Sequence, residues 1–392
     1  MTAYESTDAK AKALPLAGVK VVEFTHMVMG PTCGMILADL GADVIKIEPP
    51  GGESTRFLPG AAAGFFPLYN RNKRSVEWDL KSNTDLQNTM QLIQQSDIVI
   101  ENFRPGVMAK YGLDYQTLSQ LNSKLIYVSL KGFLPGPYEN RTALDEVVQM
   151  MGGLAYMTGR SGDPLRAGAS VNDIMGGMFG AIGAMGALMQ RAVTGRGQEI
   201  QSGLFETNVF LVAQHMLQFA MTGEAARPMP ERKAAFSVYD VFTVKGGEQI
   251  FLAAVSDTHW QIFCNVLGFT DLGASPLLAT NTLRVLARDT LLPELRARLS
   301  NIPAADLAAL FETSGLPFAY ITRPDELYQD PHLRATGVLS DIRLTDGDRA
   351  GNITQTALLP LLMDGALMPV RNNPPSVGEH TEEVVSSLGT MR

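Results

Sequence analysis

Asp173 is the residue whose surroundings in the chain best suit chemistry. It lies in the stretch Ser170 to Arg191, Ser-Val-Asn-Asp-Ile-Met-Gly-Gly-Met-Phe-Gly-Ala-Ile-Gly-Ala-Met-Gly-Ala-Leu-Met-Gln-Arg, and is its only charge before Arg191. Gly177, Gly180 and Gly183 recur every three residues, which is helical spacing. Each Gly costs a helix about 1 kcal/mol relative to Ala, so a bare face implies that another backbone comes close. An acid at the start of such a helix meets free N–H groups and the positive end of the dipole. Two readings are open for Asp173: a carboxylate held for reaction, or an ordinary N-cap. The stretch reads as a packed core helix rather than a membrane span. Its roughly 17 apolar residues are at the short limit for crossing a bilayer, and Gly and Ala make it weakly apolar.

Other groups have chemical potential. Arg71-Asn72-Lys73-Arg74 places three cations in four residues, either a phosphate site or a solvated basic turn. Glu101-Asn102-Phe103-Arg104-Pro105-Gly106 directly follows one strand pattern, and Lys131-Gly132-Phe133 follows the next. His26 lies on the loop after the first strand, where it either touches substrate or bonds to backbone. His215, His259 and His332 read as structural. The chain has only two cysteines, Cys33 and Cys264, without metal-ligand spacing. This fits a reducing, cytoplasmic setting and no metal site.

These residues need a scaffold. Gly18 to Phe24 reads as a buried strand, Pro31 to Leu40 as a helix stopped by Gly41, and Ala42 to Glu48 as a second strand, together one βαβ unit. Val76 to Leu80 reads as a short strand, and Asp97 to Asn102 and Lys124 to Ser129 as further strands after helical stretches. The alternation predicts a parallel sheet with helices on both faces, whose ligands gather at the carboxyl ends of the strands. A nicotinamide-binding domain shares this layout, and Glu48 mimics its ribose-binding acid. The first turn, Thr25 to Pro31, lacks the G-x-G-x-x-G that admits a pyrophosphate.

Ala143 to Gln149 opens a helix that ends near Gly152-Gly153. Glu199 to Leu204 reads as a last strand and Phe205 to Met221 as a helix. Beyond the Pro- and charge-rich run Glu224 to Lys233, a hairpin over Ser237 to Ala254 precedes helices near Thr258–Leu267, Leu283–Leu299 and Ala304–Thr313. This predicts a separate α+β domain. Pro374 to Thr381 leads a closing helix. The 392 residues fit two or three domains, and 45% apolar with 18% charged content is ordinary for a soluble enzyme. A net charge of −8 argues against a general nucleic-acid surface. Met1 to Ala13 reads as a loose polar tail without a secretion signal.

The chain resembles the class III CoA-transferases, the family that includes formyl-CoA:oxalate CoA-transferase, from about Leu14 to Gly389. The resemblance is carried by Leu16 to Phe24, Leu40 to Glu48, Asn72-Lys73-Arg74-Ser75, Glu101-Asn102-Phe103, Asp173 with its glycines, Thr194-Gly195-Arg196-Gly197-Gln198 and Gly378-Glu379-His380-Thr381, in that order. It implies an α/β fold, with a Rossmann-like parallel-sheet large domain built from both chain ends, a small α+β domain, and two chains interlocked as a homodimer. In those terms residues 14–210 begin the large domain, 211–233 form a linker, 234–335 the small domain, 336–370 a second linker, and 371–392 the return.

The resemblance also implies roles. Asp173 is the nucleophile. CoA is met by Val28, Met29, Asn72, Lys73, Arg74, Trp78, Asp79, Leu80, Lys81, Asn102, Phe103, Arg104, Lys110 and Asp145. Read from the residues themselves rather than from the resemblance, Gly176 and Gly177 are candidate oxyanion donors, His26 is a candidate substrate contact, and Arg71 and Arg104 are candidates for an acceptor's second carboxylate. The partners expected are an acyl-CoA, such as succinyl-CoA, and a carboxylic acid such as itaconate, mesaconate, glutarate or a sulfinate analogue. No tightly bound cofactor, metal, nucleic acid or membrane is expected; the CoA thioester is a substrate.

Two departures bear on the acceptor. The formyl-CoA enzyme has Gln where Val28 stands, and closes its site with a glycine run that this chain lacks; Gly246-Gly247 reads as a hairpin turn. The superfamily also holds α-methylacyl-CoA racemase, with a Gly-His-Asp motif where this chain has Ala143-Leu144-Asp145. Leu144 removes one of the two bases that proton exchange needs. A racemase and a non-catalytic CoA-binding protein are the alternatives to a transferase.

Overall fold

The computed structural model describes residues 14–232 and 235–389. The expected tail Met1 to Ala13 lies outside the described residues, as do Lys233 at the end of the expected linker and residues 390–392 of the expected return. The chain divides into two compact units, Met1–Glu231 with Pro331–Arg392, and Arg232–Asp330.

The first unit opens with β1 (Lys20–Phe24), α1 (Met29–Asp39), β2 (Asp43–Glu48), α2 (Phe65–Tyr69), β3 (Lys73–Glu77), α3 (Asn83–Gln94), β4 (Ile98–Glu101), α4 (Tyr115–Leu121) and β5 (Ile126–Lys131). It continues with α5 (Asp145–Met151), α6 (Leu154–Thr158), α7 (Val171–Thr194), β6 (Glu199–Gly203) and α8 (Leu204–Thr222). The six strands form one parallel sheet in the order β3-β2-β1-β4-β5-β6. The chain is therefore α/β, with the doubly wound order of a Rossmann fold. The central strands β1, β4 and β5 are mostly apolar because both faces are covered. Val21, Val44, Ile98, Ile100 and Val128 meet α1 and α7 through Cys33, Leu37, Ala181 and Ala184. On the other face Val22, Phe24, Ile47 and Val99 meet Leu92, Ile93, Leu118, Val384 and Leu388.

The glycines of α7 set its distance from α1. A Cβ on Gly177 would stand 2.5 Å from the Met29 carbonyl oxygen and 2.7 Å from Thr32 Cβ. One on Gly180 would stand 2.7 Å from Leu130 Cδ2 and 3.2 Å from Cys33 Sγ. α7 is long and apolar enough to cross a membrane by length and composition alone. Here its glycine and alanine face is packed on the sheet.

The second unit holds the antiparallel sheet β7 (Val238–Thr243), β8 (Gln249–Ala254) and β9 (Phe318–Tyr320), with α9 (Asp257–Val266), α10 (Thr270–Ala274), α11 (Asn281–Leu286), α12 (Arg288–Leu299) and α13 (Ala304–Ser314). Gly246 and Gly247 turn the β7–β8 hairpin, with φ of 87° and 84°. Its core gathers Trp260, Phe263, Leu295, Leu299 and Phe311. The chain then adds α14 (Pro331–Thr336), the hairpins β10 (Leu339–Arg343) with β11 (Ile353–Ala357) and β12 (Leu362–Met363) with β13 (Ala366–Leu367), and α15 (Thr381–Gly389) to the first unit. α15 is fastened beside β3, where the Glu77 N–H donates to Thr381 Oγ1 at 3.0 Å.

Several boundaries differ from the sequence expectation. Residues 211–222, expected in a linker, are the second half of α8, which runs until Gly223 supplies a left-handed C-cap at φ 72°. Residues 336–370 carry the two hairpins, and Met368 joins the main core. The helix expected over Leu283–Leu299 is two helices, α11 and α12, divided at Ala287. β3 begins at Lys73 rather than Val76, because buried counter-charges let its cations enter the sheet.

Candidate active site

Strand order reverses between β1 and β4, and the loops leaving these two strands part there to open a crevice. The loops are tied to each other. Asn102 Nδ2 donates to the His26 carbonyl at 2.9 Å, and the His26 N–H donates to Asn102 Oδ1 at 3.0 Å. Met27 then adopts a left-handed φ of 61°, and its N–H donates to Thr55 Oγ1 at 2.9 Å. The His26 ring lies 5.5 Å from the Phe103 ring, and its Nδ1 is buried without a partner.

Asp173 approaches this crevice from α7. It is the third residue of the helix; Ser170 holds the N-cap position without a side-chain bond. The capping work falls to Asp145, the first residue of α5. Its Oδ1 accepts from the N–H groups of Asn172 at 2.8 Å and Asp173 at 3.3 Å, and its Oδ2 accepts from Gln149 Nε2 at 2.6 Å. Among the described residues no hydrogen bond reaches the Asp173 carboxylate oxygens. The residue is partly open where it meets the crevice, but the protein around it desolvates its charged form. Burial, and then the negative Asp145 alongside, raise its pKa to about 7. Burial and then Asp173 raise the Tyr69 phenol to about 12.

A cavity of about 450 Å³ gathers His26, Met29, Asn102, Phe103, Arg104, Asp145 and Asp173, with Met27, Lys131, Arg141, Leu144 and Leu204 also in its wall. A second cavity, of about 750 Å³, is lined by Trp78, Asp79, Leu80 and Lys81. The two meet at His26, Phe103 and Val107, which border both. Thus residues far apart in the chain line two adjoining cavities at the carboxyl ends of β1, β3 and β4. Among the described residues no group of three His, Cys, Asp or Glu side chains is placed to hold a metal.

Other sequence candidates stand elsewhere. Val28 is buried against Met35 and Tyr69, and Lys110 is exposed outside both cavity walls. Arg71 is 1% exposed and bound to Asp39, with Nη2 to Oδ2 at 2.7 Å, so it cannot meet an acceptor acid. Asn72 is buried on the same Asp39 at 2.8 Å. Lys73 donates to Glu23 at 2.9 Å and to the Pro31 carbonyl at 3.0 Å, and burial lowers its pKa to about 8. Arg74 pairs with Asp43 and Glu383 on the sheet edge. The cation run is thus a structural device, not a phosphate site. Gly176 and Gly177 lie too deep in α7 to offer free N–H groups, since from the fifth residue on each N–H bonds to the carbonyl four residues back. They serve the close packing on Met29 and Thr32 instead. Glu48, the ribose-acid mimic, accepts from Arg56 Nε at 2.7 Å and Nη2 at 2.6 Å. Sequence reasoning missed Thr55 and Arg141; the Tyr138 to Arg141 run beside a glycine turn was the available signal for the latter.

A family model described as CoA-transferase family III matches residues 16–381. The succinate–glutarate CoA-transferase of Agrobacterium fabrum is 32% identical, with 98% of each chain covered. The succinyl-CoA:mesaconate CoA-transferase of Haloarcula hispanica is 30% identical over 95% of this chain and 96% of that protein. A crystal structure of a CaiB/BaiF family protein from Brucella suis superposes with a TM-score of 0.86 at 31% identity, covering 96% of this chain and 100% of that one.

Proposed function

Because the chain belongs to CoA-transferase family III, and is thus a CoA-transferase, we propose that it moves CoA from succinyl-CoA or a similar donor to a dicarboxylic acid through Asp173. The single observation that carries this reading is the Asp173 carboxylate, free of hydrogen bonds among the described residues and facing a cavity at the sheet's switch point. The relatives named for succinate, glutarate and mesaconate support the class of donor and acceptor.

The chemistry needs only that carboxylate. An Asp173 oxygen attacks the thioester carbonyl, the C–S bond breaks, and CoA leaves as thiolate from a mixed anhydride. The thiolate attacks the aspartyl carbon, the anhydride C–O bond breaks, and the donor acid leaves as carboxylate. The acceptor carboxylate then attacks the aspartyl thioester, and the same steps run in reverse. No proton is gained or lost overall. Capping by Asp145 leaves the Asp173 side chain free for this work. Leu144, in the same wall, supplies no second base, which favours transfer over α-proton exchange. The second cavity suits the nucleotide part of CoA, with Trp78 and Phe103 as apolar surfaces and Lys81 as a cation. A cytoplasmic location agrees with two free, buried cysteines.

The test is to incubate the enzyme with donor acyl-CoA and no acceptor. Intact mass should rise by CoA less water, and borohydride should convert Asp173 to the corresponding alcohol. A mark on Asp145 instead would move the nucleophile, and no adduct under turnover conditions would favour direct transfer in a ternary complex.

The functional assembly in this reading is an interlocked homodimer. α7 leaves Ile182, Met189 and Val193 exposed, and α8 leaves Phe210, Leu217 and Met221 exposed, apolar side chains that a partner chain would cover. Sedimentation on serial dilution should show dimers down to the concentration at which the protein unfolds. A folded monomer at low concentration would exclude interlocking.

A further inference from the structure

We propose that Arg141 reads the second anionic group of the accepting acid and so sets the preference for dicarboxylic acids. This rests on the reading of Asp173 as the reacting carboxylate. Three cations border the Asp173 cavity: Arg104, Lys131 and Arg141. Lys131 is already committed, with its Nζ on both Glu101 oxygens at 2.6 and 2.7 Å and on the Phe103 carbonyl at 2.6 Å. Among the described residues neither Arg104 nor Arg141 has a carboxylate partner. Glu139 also borders the cavity, but accepts from Asn140 Nδ2 and forms an ion pair with neither arginine.

The two free arginines are held differently. Arg104 follows Phe103 on the loop that both cavities share, the side assigned above to CoA. The Arg141 guanidinium lies over the Tyr138 ring, 4.8 Å from its centroid. Tyr138 packs edge-on against Phe133 at 5.7 Å and Phe205 at 6.3 Å. Phe133 is 3% exposed and Phe205 packs on the main core, so this ring cluster is anchored in the fold. A guanidinium stacked on a ring keeps its in-plane N–H groups free for a carboxylate, which it meets with two parallel bonds. Leu144, three residues on and 56% exposed, supplies an apolar wall in the same cavity. Next to it, Asp145 binds the N–H of Asp173. One short segment thus carries the cation, an apolar wall for a methylene chain, and the cap of the reacting helix. An acid that places one carboxylate at Asp173 and its chain along Leu144 directs its other carboxylate to Arg141.

The experiment compares C5 and C6 diacids, each with the monoacid of equal carbon number, using succinyl-CoA as donor and the wild type, R141Q, R141K and R104Q. Loss of a charge-assisted pair should raise the R141Q KM for the preferred diacid about 10–100-fold. Because the second half of the reaction sequence retraces the first, the far carboxylate of the succinyl donor meets the same arginine, so R141Q should raise the KM for succinyl-CoA as well, and an unchanged KM for that donor would count against the assignment. The donor is therefore also varied: with acetyl-CoA, which has no second carboxylate, the R141Q loss should be confined to diacid acceptors and be absent with monoacids. R141K should recover part of the diacid preference. Equal loss on monoacids and diacids, or a selective loss in R104Q but not in R141Q, would overturn the assignment. A wild type that transfers CoA to no acid would overturn the transferase reading itself.

Discussion

Asp173→Asn should abolish CoA transfer, with kcat reduced by roughly 10³–10⁶-fold, the range seen when a nucleophile that works in a covalent sequence is removed. The amide is almost the same size and keeps the backbone in place, so CoA binding should persist. The same variant should form no CoA adduct. The wild-type pH profile gives a second reading of the same group. The attacking species is the carboxylate, and burial followed by Asp145 raises its pKa to about 7. On that basis kcat/KM should fall about tenfold per pH unit below 7 and level off above it. Stability should move the other way. The folded pKa lies above the ordinary value of 3.8, so the folded state holds the proton more tightly, and stability declines as pH rises from about 4 through about 7. Asp173→Asn removes that penalty. It should therefore melt higher than wild type at pH 8, with the difference gone at about pH 4. A variant that keeps near-normal turnover, or a flat pH profile, would remove Asp173 from the chemistry.

What could be read from the sequence was whatever depends on local pattern. Apolar runs such as Val21–Val22 and Ile98–Val99–Ile100 are strands because both sheet faces are covered, and that shows in the residues themselves. Asp173 stood out because helical glycines are unfavourable unless something approaches, and Met29 and Thr32 do approach. The cation run was opaque for the opposite reason. Arg71 and Lys73 are paired with Asp39 and Glu23, which lie 32 and 50 positions away and meet them only when β3 joins the sheet. Nothing local separates a buried paired arginine from one waiting for phosphate. Arg141 was half legible: its ring partner Tyr138 is three residues away and Phe133 stands near, just after β5, but Phe205, which also anchors Tyr138, is at the start of α8, far off in the chain.

Removing Asp39 should destabilise the fold by about 3–5 kcal/mol, more than most single substitutions, because it leaves Arg71 buried without its counter-charge. Arg71 has little access to water at 1% exposure, and its remaining contact is Nη1 to the Leu68 carbonyl at 3.1 Å. Asn72 would lose the same carboxylate, which its Nδ2 holds at 2.8 Å. Its Oδ1 accepts from the N–H groups of Arg371 at 2.6 Å and Asn372 at 2.9 Å, so the loss should spread to the returning segment. Asp39→Ala is then expected to lower the melting temperature sharply. Arg71→Met should be less severe than Asp39→Ala only if Asn72 can hold Asp39 alone. The double variant Asp39→Leu with Arg71→Met tests the cause. Replacing both charges with apolar groups of similar size should recover much of the stability, since the main penalty is an unpaired buried ion and not a missing attraction. Its preference for diacids over monoacids should match wild type, because Arg71 does not reach the cavity of Asp173. A double variant as unstable as the sum of the two single ones would show that the pair does more than neutralise itself, and a changed acid preference would return Arg71 to the site.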